Sequence, residues 1–316
     1  MKRILVPTDF SPTAERALRF ALDFAERSSG TVILYHVHKP VTNEFAGTVE
    51  ARDMYNKQTE VNLVKKMQRL KKKVTEDNNA VSVSTVLGRN PVIDNILGFA
   101  EANRIDLIIM GTQGATGIRK TIIGTVAAKI AEQADIPVML IPGKYDWKDP
   151  KHLVFASNYS KSDKAALSIL LSIAKLFKCR TTVLHLRNAY LSATEKEKVQ
   201  ADFDAYAFAL QRDFNEHKIK FSLLDTDSVI ETMENLDKKM PYDIIAMVRR
   251  KKGFYEKFFI GSFTKNMAYI TKQPLLIIPE QVADNGKNNK NGKEETLVMP
   301  NKSKIKIEKI SKKKQL

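Results

Sequence analysis

The sequence predicts an α/β protein made of two copies of a five-stranded parallel sheet. Three observations carry that prediction. Apolar runs of strand length alternate with amphipathic segments of helix length through the first half. The same order of segments returns in the second half at a nearly constant offset. A glycine-bearing loop lies between an apolar run and a helix start, where open parallel sheets place their ligand sites.

The elements follow in order. Arg3–Val6 is an apolar strand. Ser11-Pro12 reads as an N-cap followed by proline at the first helical position. Ala14, Ala17, Leu18, Ala21, Leu22 and Ala25 then form a helical stripe, which Gly30 stops. Thr31–Val37 is the second strand, and residues 43–77 form a long, charged helix expected to cover one sheet face. Val81–Leu87 alternates as a strand, and Pro91–Asn103 is a helix. Ile105–Met110 is the fourth strand, Thr125–Gln133 a helix and Val138–Ile141 the fifth strand. Strands joined by helices imply parallel pairing through right-handed crossovers.

The second half repeats this pattern. Leu153-Val154-Phe155-Ala156-Ser157-Asn158-Tyr159-Ser160 matches Ile4-Leu5-Val6-Pro7-Thr8-Asp9-Phe10-Ser11 at a shift of 149. His185 matches His36 at the same shift. Tyr242–Met247 matches Ile105–Met110 at a shift of 137, and Gly261-Ser262 matches Gly124-Thr125. Gln273–Pro279 matches Ile136–Pro142. Ordered agreement at this many anchors indicates two copies of one fold. The division expected is lobe one at residues 1–143, a linker at 144–151, lobe two at 152–280 and a tail at 281–316.

The loop Met110-Gly111-Thr112-Gln113-Gly114, followed by Gly124-Thr125-Val126, has the makings of a phosphate cradle. Glycines let backbone N–H groups approach an anion, and a helix start supplies unsatisfied donors and the positive end of a dipole. A plain turn with a helix start is the alternative reading.

Val6-Pro7-Thr8-Asp9-Phe10-Ser11, Asp106–Thr112, the G-x2-G-x9-G-[ST] spacing and Pro137–Pro142 together resemble the universal stress proteins. The resemblance covers residues 1–280 and makes the chain look like a tandem member. It implies a Rossmann-like sheet of the adenine nucleotide hydrolase type, with ATP or another adenine nucleotide in any lobe that keeps the loop. It places Pro7, Thr8 and Asp9 at the ribose and phosphates, and the backbone of Val37 at the adenine edge. Met110, Gly111 and Gly114 would lie near the ribose and phosphates, with Gly124, Thr125 and Val126 on the phosphates. Asp9 would repel a triphosphate unless it bonded the sugar or a cation intervened, so Mg²⁺ is a candidate companion with unassigned ligands. Asp9 as a loop carboxylate and Thr8 as a turn hydroxyl are the alternatives. In the family the fifth strands meet between protomers, so Val138–Ile141 and Leu275–Ile278 are expected to pair within this chain, with room for a further homodimer.

Lobe two departs from the pattern. Asn158 replaces Asp9, Val248 replaces Gly111 and Lys251 replaces Gly114. The expectation is one competent site, in lobe one. Arg249-Arg250-Lys251-Lys252 reads either as a solvated basic turn or as a side-chain anion site.

Composition narrows the classes. Of the net charge of +16, the tail after residue 280 holds +6, from ten lysines against four acids. It has no aromatic residue and reads as a disordered, solubilising extension. Nucleic acid is the less favoured partner for it. One cysteine, Cys179, excludes an intramolecular disulfide and fits a reducing compartment. Pro7-Thr8-Asp9 ends the first apolar run too early for a signal peptide, and no run approaches a membrane span. A cytoplasmic, membrane-free protein is expected. No nucleophile sits with a base, the paired His36 and His185 read as packing residues, and His38, His152 and His217 stand alone. The leading expectation is a stress-response or regulatory nucleotide-binding protein. A slow ATPase or ATP-using enzyme is the first alternative, and a basic scaffold acting through its tail the second.

Overall fold

The computed structural model describes residues 1–42, 47–76, 80–112, 124–160, 162–250 and 272–280. Lobe one runs β1 (Arg3–Pro7), α1 (Pro12–Ser28), β2 (Thr31–His38), α2 (Val49–Thr75), β3 (Ser82–Arg89), α3 (Val92–Ala102), β4 (Leu107–Gly111), α4 (Thr125–Gln133) and β5 (Val138–Ile141). Lobe two repeats it with β6 (His152–Ala156), α5 (Asp163–Phe177), β7 (Arg180–Asn188), α6 (Ala193–Asp213), β8 (Ile219–Thr226), the short α7 (Val229–Glu234) and α8 (Leu236–Lys239), β9 (Ile244–Arg249) and β10 (Leu275–Pro279). The expected strands and helices of lobe one are present, most ends shifted by one or two residues; the long helix, expected from residue 43, begins at Val49 after the Thr48 cap.

The strands form one ten-stranded sheet in the order β3-β2-β1-β4-β5-β10-β9-β6-β7-β8. Neighbours within each lobe are parallel. The seam between lobes is antiparallel: Leu275 faces Leu140, Leu276 faces Met139, and Ile277 faces Val138. Two lobes joined this way point the C-terminal edges of their strands in opposite directions.

Both faces of the sheet are covered, which is why its strands are apolar at successive positions. Ile4, Val6, Leu153 and Phe155 face a core closed by α1, α2, α5 and α6. Leu5, Val154, Ile108 and Ile245 face a second core closed by α3, α4, α7 and α8. Each core contains residues of both lobes. α2 buries only Met67 and Val74 of its 27 residues, the surface helix its charge pattern predicts.

The repeat is visible in local bonding. Asp106 accepts the N–H groups of Lys2 and Arg3 at 2.6 and 2.9 Å, clasping the starts of β1 and β4. Asp243 does the same for Lys151 and His152 at 2.8 and 3.0 Å. Residues 144–151 are packed rather than strung between lobes. Tyr145 is buried, and the Trp147 ring lies 4.8 Å from Phe20 and 5.9 Å from Phe177. Arg27 of α1 holds Asp149 through one guanidinium nitrogen at 2.5 and 2.6 Å.

The seam gives a direct test. Met139 is fully buried opposite Leu276, so Met139→Lys places an unpaired charge in the joint core. It should lower unfolding stability by about 3 kcal/mol or more in urea titrations. Val61→Lys on exposed α2 should stay within roughly 0.5 kcal/mol of the parent chain.

Candidate functional site

The C-terminal ends of β1, β2 and β4 open onto a cavity of about 400 Å³ in lobe one. Pro7, Thr8, Asp9, Val37, Met110, Gly111, Gly124, Thr125 and Val126 all line it. Gly114 lies outside the described residues. The residues nominated from sequence therefore converge on one wall-to-wall site from three strand ends and one helix start.

The turn from β1 to α1 forms one side. Thr8 donates its N–H to the Tyr35 carbonyl at 2.8 Å, extending the β1–β2 ladder by one rung. Its hydroxyl accepts the Phe10 N–H at 3.0 Å, and Asp9 Oδ1 accepts the Ser11 N–H at 3.0 Å. Ser11 then caps α1 by accepting the Ala14 N–H at 3.1 Å. The turn hydroxyl and the loop carboxylate are thus both realised, while both residues also face the cavity. These side-chain bonds let Phe10 sit at a φ of 64°, and Tyr159 repeats the device at 62°.

His36 fixes the same turn. Its Nδ1 lies 2.7 Å from the Thr8 carbonyl, and His185 Nδ1 lies 2.9 Å from the Ser157 carbonyl. A carbonyl only accepts, so Nδ1 carries the proton in both rings. Burial pushes both imidazoles below their usual pKa. The shared bond in both lobes supports the packing role read from the repeat.

Gly111 has a reason different from the one expected of it. A Cβ there would lie 2.5 Å from Thr13 Cγ2 and 3.0 Å from the Thr13 backbone. The glycine lets the end of β4 touch the start of α1, and its exposure to the cavity follows from that contact. On the far side, Gly124 is the N-cap of α4 with a φ of −63°, and it supplies no side-chain cap. The first N–H groups of a helix have no intrahelical acceptor. Thr125, Val126 and Ala127, all on the cavity wall, therefore present open donors at the positive end of the α4 dipole.

The wall also holds His36 and Thr112, and an apolar part that was not singled out from sequence. Tyr35, Val92, Ile96 and Ala127 line it with Val37 and Met110. Val92 and Ile96 are one helical turn apart on α3, a signal that acquires meaning only once α3 is placed across β2 and beside α4. Tyr35 stacks on Phe99 with ring centroids 4.6 Å apart. Asp9 is the one carboxylate among the described lining residues. No group of three His, Cys, Asp or Glu among the described residues is placed to hold a metal ion.

Lobe two has filled the equivalent ground with its own polar atoms. Ser157, in the place of Thr8, donates to Asp163 Oδ2 at 2.5 Å and lies 2.8 Å from the Tyr206 hydroxyl. Tyr206 donates to the same carboxylate oxygen at 2.9 Å. Asp163 stands where lobe one has the cavity-lining Ala14 and is 1% exposed. Burial raises its carboxyl pKa against the opposing hydrogen bonds of Ser157 and Tyr206.

The two described arginines of the basic cluster are engaged with protein acceptors. Arg249 is half-buried, with Nη2 donating to the Ala134 carbonyl at 2.5 Å and Nη1 to the Glu132 carbonyl. Arg250 donates to Asn158 Oδ1 at 2.7 Å. Neither is a solvated turn residue. Lys251, Lys252, Gly261 and Ser262 lie outside the described residues, as does the tail from 281. His38 and His152 are not isolated either. His38 Nε2 lies 3.1 Å from Glu60, and His152 bridges the Pro241 carbonyl and the Thr182 hydroxyl at 2.6 and 2.8 Å. Cys179 packs at the Pro150 carbonyl, and burial pushes its thiol up to about 12, where it is no nucleophile at neutral pH.

Two outcomes are expected. Gly111→Ala should cost about 1–3 kcal/mol of stability in urea titrations through its clash with Thr13. The second concerns pH. The unfolded chain takes up a proton on His36 near pH 6.5, which the buried folded ring resists, so stability falls as pH drops below that value. His36→Asn keeps a donor for the Thr8 carbonyl but removes the titration. It should flatten the stability slope between pH 7 and 5 by up to ~1.4 kcal/mol per pH unit, one proton's worth, relative to the parent.

Comparison with known proteins agrees with the geometry. The model of the universal stress protein family matches residues 1–142 and again residues 150–279. Universal stress protein MJ0577 of Methanocaldococcus jannaschii is 30% identical over 158 residues, covering 45% of this chain and 96% of the relative. Universal stress protein MJ0531 of the same organism is 28% identical over 141 residues, covering 44% of this chain and 81% of the relative. A universal stress protein structure from Archaeoglobus fulgidus shares the fold across 88% of this chain and 98% of its own, at 12% identity and a TM-score of 0.66. With a match in each half and one sheet built from both, the chain belongs to the universal stress protein family as a tandem member.

Proposed function

We propose that this protein binds one adenine nucleotide in lobe one and acts as a regulatory binding protein. The observation that supports it is one cavity with two unlike kinds of wall. Apolar side chains from β2, α3 and β4 suit a flat base, and the open N–H groups of α4 suit phosphates. The volume of about 400 Å³ falls in the range of small-molecule sites. In this reading Val37 offers backbone to the base edge, Asp9 faces the sugar, and Gly124, Thr125 and Val126 meet the phosphates. Gly114 belongs to the same proposal by resemblance. Mg²⁺ would be held mainly by the nucleotide's own phosphates, with Asp9 as the protein carboxylate at hand.

Residues 1–143 act as the binding lobe and 152–280 as a partner lobe that does not take nucleotide in the same way. The Ser157–Asp163–Tyr206 network supports that asymmetry, since a buried carboxylate occupies the ground of Ala14. Among the described residues no helix is long and apolar enough to cross a membrane.

Titration calorimetry of the full chain with ATP should give a stoichiometry near one. Thr125→Glu adds an acidic group at a helix N-terminus, which the fold tolerates, but sets it against the phosphates. ATP affinity should fall roughly tenfold or more, because like charges brought together cost on the order of a few kcal/mol. A stoichiometry of two, or unchanged affinity in this variant, defeats the reading. Phosphate release with turnover that disappears in both Asp9→Ala and Thr125→Glu would make lobe one a slow ATPase instead.

A further inference from the structure

Lobe two carries, at the end of β9, a residue that reaches into lobe one. Arg249 stands at the position of Thr112, a residue that lines the lobe-one cavity. Its own lobe does not use it that way. The antiparallel seam turns the C-terminal edge of lobe two toward the N-terminal edge of lobe one. Helices between parallel strands run opposite to those strands, so α4 begins at the cavity and ends at that N-terminal edge. Arg249 meets it there. Its guanidinium donates to the carbonyls of Glu132 and Ala134, the last turn and the C-cap of α4. The last turn of α4 contains no basic residue of its own, and Glu132 and Asp135 lie beside its end. The register of β9 on β10, with Arg249 opposite Pro279, fixes the arginine from the sheet.

We propose that Arg249 is a positioning residue for the anion end of the lobe-one site, acting through α4. The inference rests on the nucleotide reading above and extends it: the degenerate loop of lobe two has become a clamp on the helix that receives the phosphates. Two effects follow from the contact. A cation at the C-terminus of a helix complements its dipole, and a forked pair of hydrogen bonds fixes its carbonyl end in place. α4 is nine residues long, roughly 14 Å at 1.5 Å per residue, so anchoring one end sets the aim of the N–H groups at the other. Binding in lobe one is thereby coupled to the conformation of the β9 end in lobe two, and the coupling is reciprocal.

The test separates a clamp on the phosphate end from a general loss of structure. The full chain, Arg249→Met and Arg249→Lys are titrated with ATP and with adenosine, which lacks phosphates. Arg249→Met should weaken ATP by ~3- to 10-fold and adenosine by less than about twofold, as expected for losing a helix-end cation and its fork. Arg249→Lys, which keeps the charge but not the fork, should fall between. Hydrogen exchange of the α4 amides without nucleotide should rise in Arg249→Met, with α3 unchanged. Equal losses for both ligands, or full ATP affinity in Arg249→Met, overturn the proposal. If Arg249→Met does not fold, Arg249→Lys decides by the same ratio. A parent chain that binds neither ligand overturns the nucleotide reading, and this inference with it, before any substitution is made.

Discussion

The rest of the molecule depends on the antiparallel ladder between β5 and β10. Three facing pairs, Leu275 with Leu140, Leu276 with Met139 and Ile277 with Val138, turn two sheets into one. An apolar fifth strand left at an edge would present unpaired backbone groups and bare side chains to water. Placed in the middle, both strands are buried on both faces, and each core continues across the joint. Residues 144–151 tighten the same joint, with Trp147 wedged between the ring of Phe20 in α1 and that of Phe177 in α5. The lobes are therefore parts of one hydrophobic body.

The direction of that ladder also decides what faces what. Had the lobes met in parallel, the ends of β4 and β9 would have opened on the same side. Antiparallel pairing sends them apart and brings the end of β9 to the far end of α4, where Arg249 binds its last carbonyls. A loop position freed from one task in lobe two is thus within reach of lobe one.

Much of this was legible because the relevant physics is local or periodic. Ser11 before Pro12, the stripe through Ala25 and the apolar run of β4 each specify their own structure. The shifts of 149 and 137 carried the architecture, since a repeated order of strands and helices admits few topologies. That strand ends and the α4 start would gather around one place was legible for the same reason. Other features depend on contacts that no spacing encodes. Gly111 owes its identity to Thr13, a residue brought near only by folding. Val92 and Ile96 join the cavity wall because α3 packs across β2 and against α4. Arg249 looked like one of four surface cations, and its acceptors lie 117 and 115 positions away in sequence. His38 found a partner on α2, and His152 one on β7, that one-dimensional reading leaves unpaired.

The polar knot of Ser157, Asp163 and Tyr206 closes lobe two on itself. Where lobe one holds open space, lobe two carries a permanently installed carboxyl group, bonded and sealed. The turn after β6 has its polar partners from the moment the chain folds. Lobe one leaves the same region as a cavity, so any ordering that filling it would bring begins in one half of the chain. The chain is in that sense built unevenly: one lobe keeps a polar wall open to a cavity, and its twin holds the same ground closed as a fixed frame beside it.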